Sequence, residues 1–345
     1  MSADLTGQTL LVTAVGGAPG FDLARTLQHR GHHVIGADAN RLAAGLFLPG
    51  LTPVVVPPSS DPRYLSALLD ICRSQQPAAL IPTAESEILR LIPIRDELAA
   101  LGVRTWLPSL TAMAACHDKA AFHRRALDHG VPTPRTWLPD NLDQIPPGTD
   151  LIVKPRRGHG AKGVTVCHTP TQARVLCELT DDPIVQELVS GTEFTADCLI
   201  DHNGTVSIIT RDRLVVRNGL AVAARTFHDD QVAETVTATL AAVGMTGLCC
   251  VQGFRTPHPR RVLITEVNAR VAGAFPISEA AGADLTGQFL NGLFDRPIDH
   301  HRLRAATDIH LIKYVETIAA GQPPLTATGP IPSPVPPRDL TGSAR

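Results

Sequence analysis

Between residues 9 and 101, short apolar runs alternate with segments of helical spacing, and this alternation limits the fold more than any other feature of the chain. Residues 9–15 are an apolar run of strand length, followed by the turn Gly16-Gly17-Ala18-Pro19-Gly20. Residues 21–30 then place Phe21, Ala24, Leu27 and Gln28 three or four apart, and Gly31 ends that segment. Further apolar runs lie at 33–37, 53–56 and 79–82. Residues 64–75 put Leu65, Leu68, Leu69 and Cys72 on one helical face, and 88–101 reads as another helix. Strands alternating with helices predict a parallel sheet with helices on both faces.

Beyond residue 105 the texture changes. Short helices are expected at 109–115 and 119–130, then a stiff connection, Val131-Pro132-Thr133-Pro134. Strand-like segments follow at 151–155, 163–168, 184–188, 194–200, 206–210 and 220–225, with helices at 230–243 and 278–294. The runs 248–254 and 261–267 predict an antiparallel hairpin closed by Thr256-Pro257-His258-Pro259. From Gly321 the chain is rich in Pro, Thr and Ser without apolar periodicity, which predicts a disordered tail. A length of 345 residues suits two or three packing units.

Composition removes several classes. With 31 basic and 33 acidic residues, a basic surface for nucleic acid over the whole protein is excluded, though not a local patch. No apolar stretch approaches the roughly 18 residues of a membrane-spanning helix, and Met1-Ser2-Ala3-Asp4-Leu5 lacks the features of a secretory signal. The seven cysteines form no metal-like CxxC pair, so a reduced, cytoplasmic protein is expected.

Four constellations carry chemistry. The turn Gly16–Gly20 with Asp38 at the end of the second strand reads either as a dinucleotide site or as a tight turn needing small residues, since Ala18 breaks the GxGxxG spacing. Val153-Lys154-Pro155 leads into a loop with Arg156, Arg157, Gly158, Gly160, Lys162 and Gly163, which reads as a phosphate cover or a basic surface hairpin. Gln186-Glu187-Leu188-Val189 and Gly191-Thr192-Glu193 suit adenine and ribose recognition, or a capped turn. Finally, Glu266 and Asn268 share a strand face, with Gln252 on the neighbouring strand; these oxygens suit Mg²⁺ shared with phosphates. Arg270, two residues on, can face the same phosphates.

In this order, with His117-Asp118-Lys119, Gly130-Val131-Pro132-Thr133-Pro134 and Val251-Gln252-Gly253-Phe254, the motifs resemble the ATP-grasp superfamily, in particular the branch related to the carbamoyl phosphate synthase large subunit. The resemblance covers roughly residues 8–300. It implies an α/β fold: a parallel-sheet pre-ATP-grasp domain (1–108), an ATP-grasp lid (109–185) and a catalytic subdomain (186–320) with antiparallel sheets, before a tail (321–345). It also implies that the front domain does not bind a nicotinamide.

The resemblance implies ATP and Mg²⁺ as cofactors, and roles by position. Lys119 and Lys154 would contact phosphates, Lys154 near the adenine as well; Gly158, Gly160 and Gly163 would cover them. Gln186, Glu187 and Val189 would frame the adenine, Val189 through its backbone, and Glu193 would hold the ribose. Gln252, Glu266 and Asn268 would bind Mg²⁺, and Arg270 would face the transferred phosphoryl group. Arg270, Lys154 and Glu266 would thus carry catalysis. Arg211, Arg213 and Arg225 resemble a basic stretch before the substrate pocket of amino acid ligases, and Glu85 or Glu87 suits an ammonium. The expected reaction joins a small-molecule carboxylate to an amine through an acylphosphate. Loading of a carrier thiol, cyclisation, a nicotinamide-dependent oxidoreductase and a nucleotide-binding regulatory module are the alternatives. No nucleic acid or membrane partner is expected, and a homodimer is common in the resembled family.

Overall fold

A computed structural model describes residues 5–158 and 160–317. The expected tail at 321–345 lies outside them.

The front domain is built as the alternation demands. Strands β1 (Thr9–Thr13), β2 (His33–Asp38), β3 (Thr52–Val55) and β4 (Ala79–Ile81) form a parallel sheet in the order β3-β2-β1-β4. Helices α1 (Ala18–His29) and α2 (Tyr64–Gln75) connect them. The long helix expected at 88–101 is broken: α3 (Glu85–Leu91) and α4 (Arg95–Ala100) flank a 3₁₀ turn holding Pro93, whose missing N–H cannot continue a helix.

Helices α5 (Leu110–His117) and α6 (Lys119–Asp128) come next, capped by Ser109 and Asp118 side chains. A four-stranded antiparallel sheet follows, in the order β5 (Thr136–Trp137), β8 (Pro183–Glu187), β6 (Leu151–Pro155), β7 (Thr165–Cys167), with α7 (Pro170–Glu178) against it. The larger antiparallel sheet has six strands: β9 (Thr192–Ile200), β10 (Val206–Arg217), β11 (Leu220–Phe227), β12 (Gly247–Pro257), β13 (Arg260–Asn268) and β14 (His310–Ile312), ordered β13-β12-β9-β10-β11-β14. Helix α8 (Asp230–Val243) packs on it. The helix expected at 278–294 divides into α9 (Pro276–Ala280) and α10 (Leu285–Leu293), separated by Gly282 at φ +99°.

One boundary differs from the sequence reading. Although 109–185 is expected to form one lid, α5 and α6 pack against α8 and β13 of the six-stranded sheet, and their Met113, Phe122 and Ala126 join its core. The apolar faces of these two helices match that sheet, and the connection 131–134 carries the chain across to the lid. Strand β8 ends at Glu187, so Glu187 belongs to the lid sheet.

Candidate active site

The lid sheet and the six-stranded sheet face each other across a cleft of about 270 Å³. Each sheet contributes through its strand ends. Strand β6 alternates, so Ile152 and Lys154 share one face and both line the cleft. Lys154 is buried, and its Nζ donates to Gln186 Oε1 at 2.8 Å. Burial pulls the Lys154 pKa down to about 8; Glu266 opposes this and Lys119 adds to it. Lys119, the first residue of α6, reaches across to donate from Nζ to the Gly158 carbonyl at 3.0 Å.

The floor is the β12–β13 hairpin. Gln252 pairs with Glu266, and Cys250 with Asn268, so Gln252, Glu266 and Asn268 share a face at the sheet's edge. A bulge follows at Gln252/Gly253, and Thr265 and Glu266 both line the cleft. Asn268 Nδ2 donates to Glu266 Oε1 at 3.1 Å, and Arg270 Nη2 donates to Asn268 Oδ1 at 3.0 Å. Burial pushes the Glu266 carboxyl up, but Lys119, Asn268, Lys154 and Arg270 together hold it below the ordinary carboxylate range. Among the described residues, no cluster of three or more His, Cys, Asp and Glu side chains forms. The amide and carboxylate oxygens of Gln252, Glu266 and Asn268 are nonetheless the hard donors that Mg²⁺ takes alongside phosphates and water.

The remaining nucleotide candidates converge here too. Gly158, Gly160, Gln186, Glu187, Val189 and Glu193 line the same cleft. Gly163, expected among them, sits at φ +71° beside Pro155 and does not line the cavity. Glu187 forms an ion pair with Arg135 at 2.8 Å. Sequence reasoning missed the apolar wall of Leu188, Val164, Val216 and Phe254, which suits a flat base. The parity of Phe254 with Gln252 on β12 was its one available signal. Nor are Arg156 and Arg157 free for phosphates. Asp118 takes both, at 2.6 and 3.1 Å, and Arg157 also pairs with Asp182.

A second cavity of about 460 Å³ adjoins the first, between the front domain and the six-stranded sheet. Arg213, Gln252, Gly219 and Arg270 line both. Glu85 lies on this second wall, where its Oε1 accepts the Ala269 N–H at 3.0 Å and its Oε2 is 3.9 Å from His117 Nδ1. Glu87 does not: it is buried in the front domain, accepting Thr13 Oγ1 at 2.5 Å.

The three arginines separate. On β10, Arg211 and Arg213 share one face and Asp212 the other. Arg225 is paired across the strands with Asp212, so it lies on the opposite face from the cleft, bound to Asp212 Oδ2 at 2.8 Å. Its expected substrate role is therefore corrected by the register. Arg213 reaches both cavities but is held by the protein: Nη2 donates to the Gly219 carbonyl at 2.8 Å, and Nε is 3.0 Å from Glu193 Oε1. Arg211 is 1% exposed and grips Asp197 through Nε and Nη2.

At the front turn, both oxygens of Asp38 accept backbone N–H groups, from Gly16 at 2.7 Å and Asn40 at 2.8 Å. The acid that a nicotinamide ribose would need is closed into its own turn. Cys249 and Cys250 are buried, and burial pushes the Cys250 thiol up to about 12, so neither is a nucleophile. The His300 ring is hydrogen-bonded to Ser207 Oγ at 2.7 Å and Asp201 Oδ2 at 3.2 Å.

Two lid-and-sheet halves closing on a Lys- and Glu-lined cleft behind a parallel front sheet match known families. A family described as "ATP-grasp in the biosynthetic pathway with Ter operon" matches residues 180–318, and one described as "PylC-like, N-terminal domain" matches residues 10–106. Residues 180–318 thus match an ATP-grasp domain, behind a front domain that is PylC-like over residues 10–106. Biotin carboxylase from Campylobacter jejuni, solved as its beta-gamma-ATP complex, shares the ATP-grasp fold at TM-score 0.70 and 16% identity, over 88% of this chain and 74% of that one. L-amino acid ligase from Bacillus licheniformis aligns at TM-score 0.66 and 16% identity, over 88% and 78%. Pyruvate carboxylase from Rhizobium etli aligns at 0.67 and 15% over 87% of this chain, which spans only 30% of that protein's length. At these identities the likeness carries the fold. Among the described residues no helix is long and apolar enough to cross a membrane.

Proposed function

We propose that this ATP-grasp protein is an ATP-dependent, ADP-forming ligase that activates a carboxylate as an acylphosphate and joins it to an amine. One observation carries the reading: Arg270 and Gln252 stand at the junction of two adjoining cavities, one lined by the nucleotide constellation and the other open to a substrate. A carboxylate oxygen from the second cavity would attack the γ-phosphorus as the bond to ADP breaks. The amine would then form the C–N bond, lose a proton and release phosphate.

Lys119 and Lys154 would hold the phosphates, Glu187 and Val189 the adenine, and Glu193 the ribose, with Gly158 and Gly160 over the nucleotide. Gln252, Glu266 and Asn268 would hold Mg²⁺, which supplies neutralisation of charge on the transferring group. Arg270 adds a fixed positive charge at the same point. Enclosure between lid and sheet keeps water from the acylphosphate. Glu85 would meet a substrate cation. The biotin carboxylase complex with a nucleotide and the amino acid ligase named above support the cofactor and the ligation; the matched family's biosynthetic description supports a role in small-molecule biosynthesis. Seven free cysteines fit a reduced, cytoplasmic setting. A homodimer remains the expectation of the resemblance, checked by sedimentation.

The test is coupled detection of ADP with Mg²⁺-ATP, a panel of acids, and hydroxylamine to trap acylphosphates as hydroxamates. ADP and hydroxamate should form together. AMP formation, or no turnover with any acid, overturns the reading. Glu266→Ala should lower kcat by about 10²–10³-fold or more while leaving the thermal melting curve cooperative. Full activity in that variant would remove Glu266 from the site.

A further inference from the structure

Among the described residues lining the second cavity, Glu85 is the one carboxylate and His117 the one imidazole. Three arginines line it as well, but Asp197 pairs with Arg211 and Glu193 with Arg213, and Arg270 donates to Asn268 and the Val271 carbonyl. A cationic substrate group is therefore drawn to the side of Glu85 and His117, away from Arg270.

His117 ends α5, and the next two residues tie it to the nucleotide side. Asp118 caps α6 and holds Arg156 and Arg157, while Lys119 lines the first cavity. The run His117-Asp118-Lys119 thus passes from one cavity to the other. Glu85 makes a second tie. Its Oε1 accepts the N–H of Ala269, the residue before Arg270, and its Oε2 is 3.9 Å from His117 Nδ1. One carboxylate connects the imidazole to the strand end that carries Arg270. At 3.9 Å the contact is an ion-pair distance, longer than a hydrogen bond; contacts of this kind commonly tighten when substrate binds. Among the described residues no hydrogen bond involves His117 Nε2, which leaves that nitrogen for a substrate.

Ligation needs such a nitrogen. An amine arrives as an ammonium, which has no lone pair. It must lose one proton before its nitrogen can attack the acyl carbon. A second proton leaves as the C–N bond forms and the C–O bond to phosphate breaks, and the departing phosphate carries that one away as hydrogenphosphate. The first needs an acceptor on the protein, and imidazole is the side chain most often used. We propose that His117 is the general base of ligation: its Nε2 takes the first proton from the ammonium and passes it to solvent, with Glu85 as the positioning residue that orients the ring. This rests on the ligase reading and adds to it the step that reading leaves without an acceptor.

The experiment lets two nucleophiles compete for one acylphosphate. Full-length protein with Mg²⁺-ATP and the panel of acids receives hydroxylamine, which is unprotonated near neutral pH, together with each common amino acid as the amine. The ratio of amide to hydroxamate reads the nucleophilic step alone, whatever happens to the overall rate. His117→Ala should lower that ratio by about 10²-fold or more, and added imidazole should restore part of it. His117→Gln keeps the bulk of the ring without the base; it should lower the ratio equally, and it carries the test should His117→Ala fail to fold. An unchanged ratio, or a lowered one that imidazole does not raise in a folded His117→Ala, overturns the proposal and leaves the ligase reading in place. Hydroxamate without amide from any amine removes the amine acceptor, and the base with it, while carboxylate activation stands. Neither product from wild type overturns the ligase reading itself.

Discussion

Glu85 and Glu87 are two residues apart on one short helix, and their environments diverge. Helical geometry turns them to different faces, so Glu85 meets the second cavity and Glu87 the front-domain interior. Burial raises the Glu87 pKa to about 7, with Asp38 adding to it and the Thr13 hydroxyl opposing it. The sign follows from linkage. Below about pH 4.5 both folded and unfolded chains carry this proton; between 4.5 and 7 the unfolded chain releases it and the folded chain keeps it. Glu87 therefore contributes stability at low pH that is lost as pH rises to about 7. Comparing wild type with Glu87→Gln in urea should show the variant gaining up to about 3 kcal/mol relative to wild type across that interval. A constant difference between pH 4.5 and 7 would contradict this.

Among the elements, α6 shows how a cap becomes part of a site. Asp118 Oδ1 accepts the Ala120 and Ala121 N–H groups at 3.0 Å, and its carboxylate also takes Arg156 and Arg157. The cap fixes the helix start, and Lys119 is the first helical residue, where it leans over Gly158. Two arginines held by Asp118 bring the start of the glycine loop to the same point. Asp118→Ala should lower stability by about 1–2 kcal/mol, from the cap alone, and should raise KM for ATP because Lys119 loses its anchor. Asp118→Asn keeps a capping oxygen and loses the ion pairs, so it should lose less stability while still weakening ATP. Urea midpoints and KM values for the two variants separate these effects.

At the scale of the molecule, the cores divide unevenly. One core joins Leu11, Leu68 and Leu80 of the front domain to Val236, Val251 and Val267 of the catalytic sheet, and a second joins Leu10 and Leu23 to Phe275 and Phe289. The lid has its own small core around Leu142, Leu151, Val153 and Val185. Arg30 adds ion pairs to Glu279 and Asp284 across the front-to-catalytic contact. A shared core makes two regions unfold together, whereas a separate one opens by itself. Hydrogen exchange should therefore show amides of 136–187 exchanging first, and those of β1, β9 and β12 exchanging late and together. ADP with Mg²⁺ should slow the lid selectively. Equal protection of lid and front domain would contradict the division.

Much of this was legible along the chain. Period-two and period-3.6 patterns depend only on neighbours in sequence, so the parallel front sheet, the hairpin 247–268 and the polar end Glu266-Val267-Asn268-Ala269-Arg270 could be read directly, as could the common face of Gln252, Glu266 and Asn268. The pattern says which residues share a face, but not what that face meets. Only the fold decided that Arg225 lies behind the sheet, that Asp38 is closed into its own turn, and that α5 and α6 join the catalytic half. Each of those outcomes depends on a partner distant in sequence: the register with Asp212, the Gly16 amide, and the apolar surface of α8. The burial of Arg211 is of the same kind, because Asp197 on a neighbouring strand grips its guanidinium.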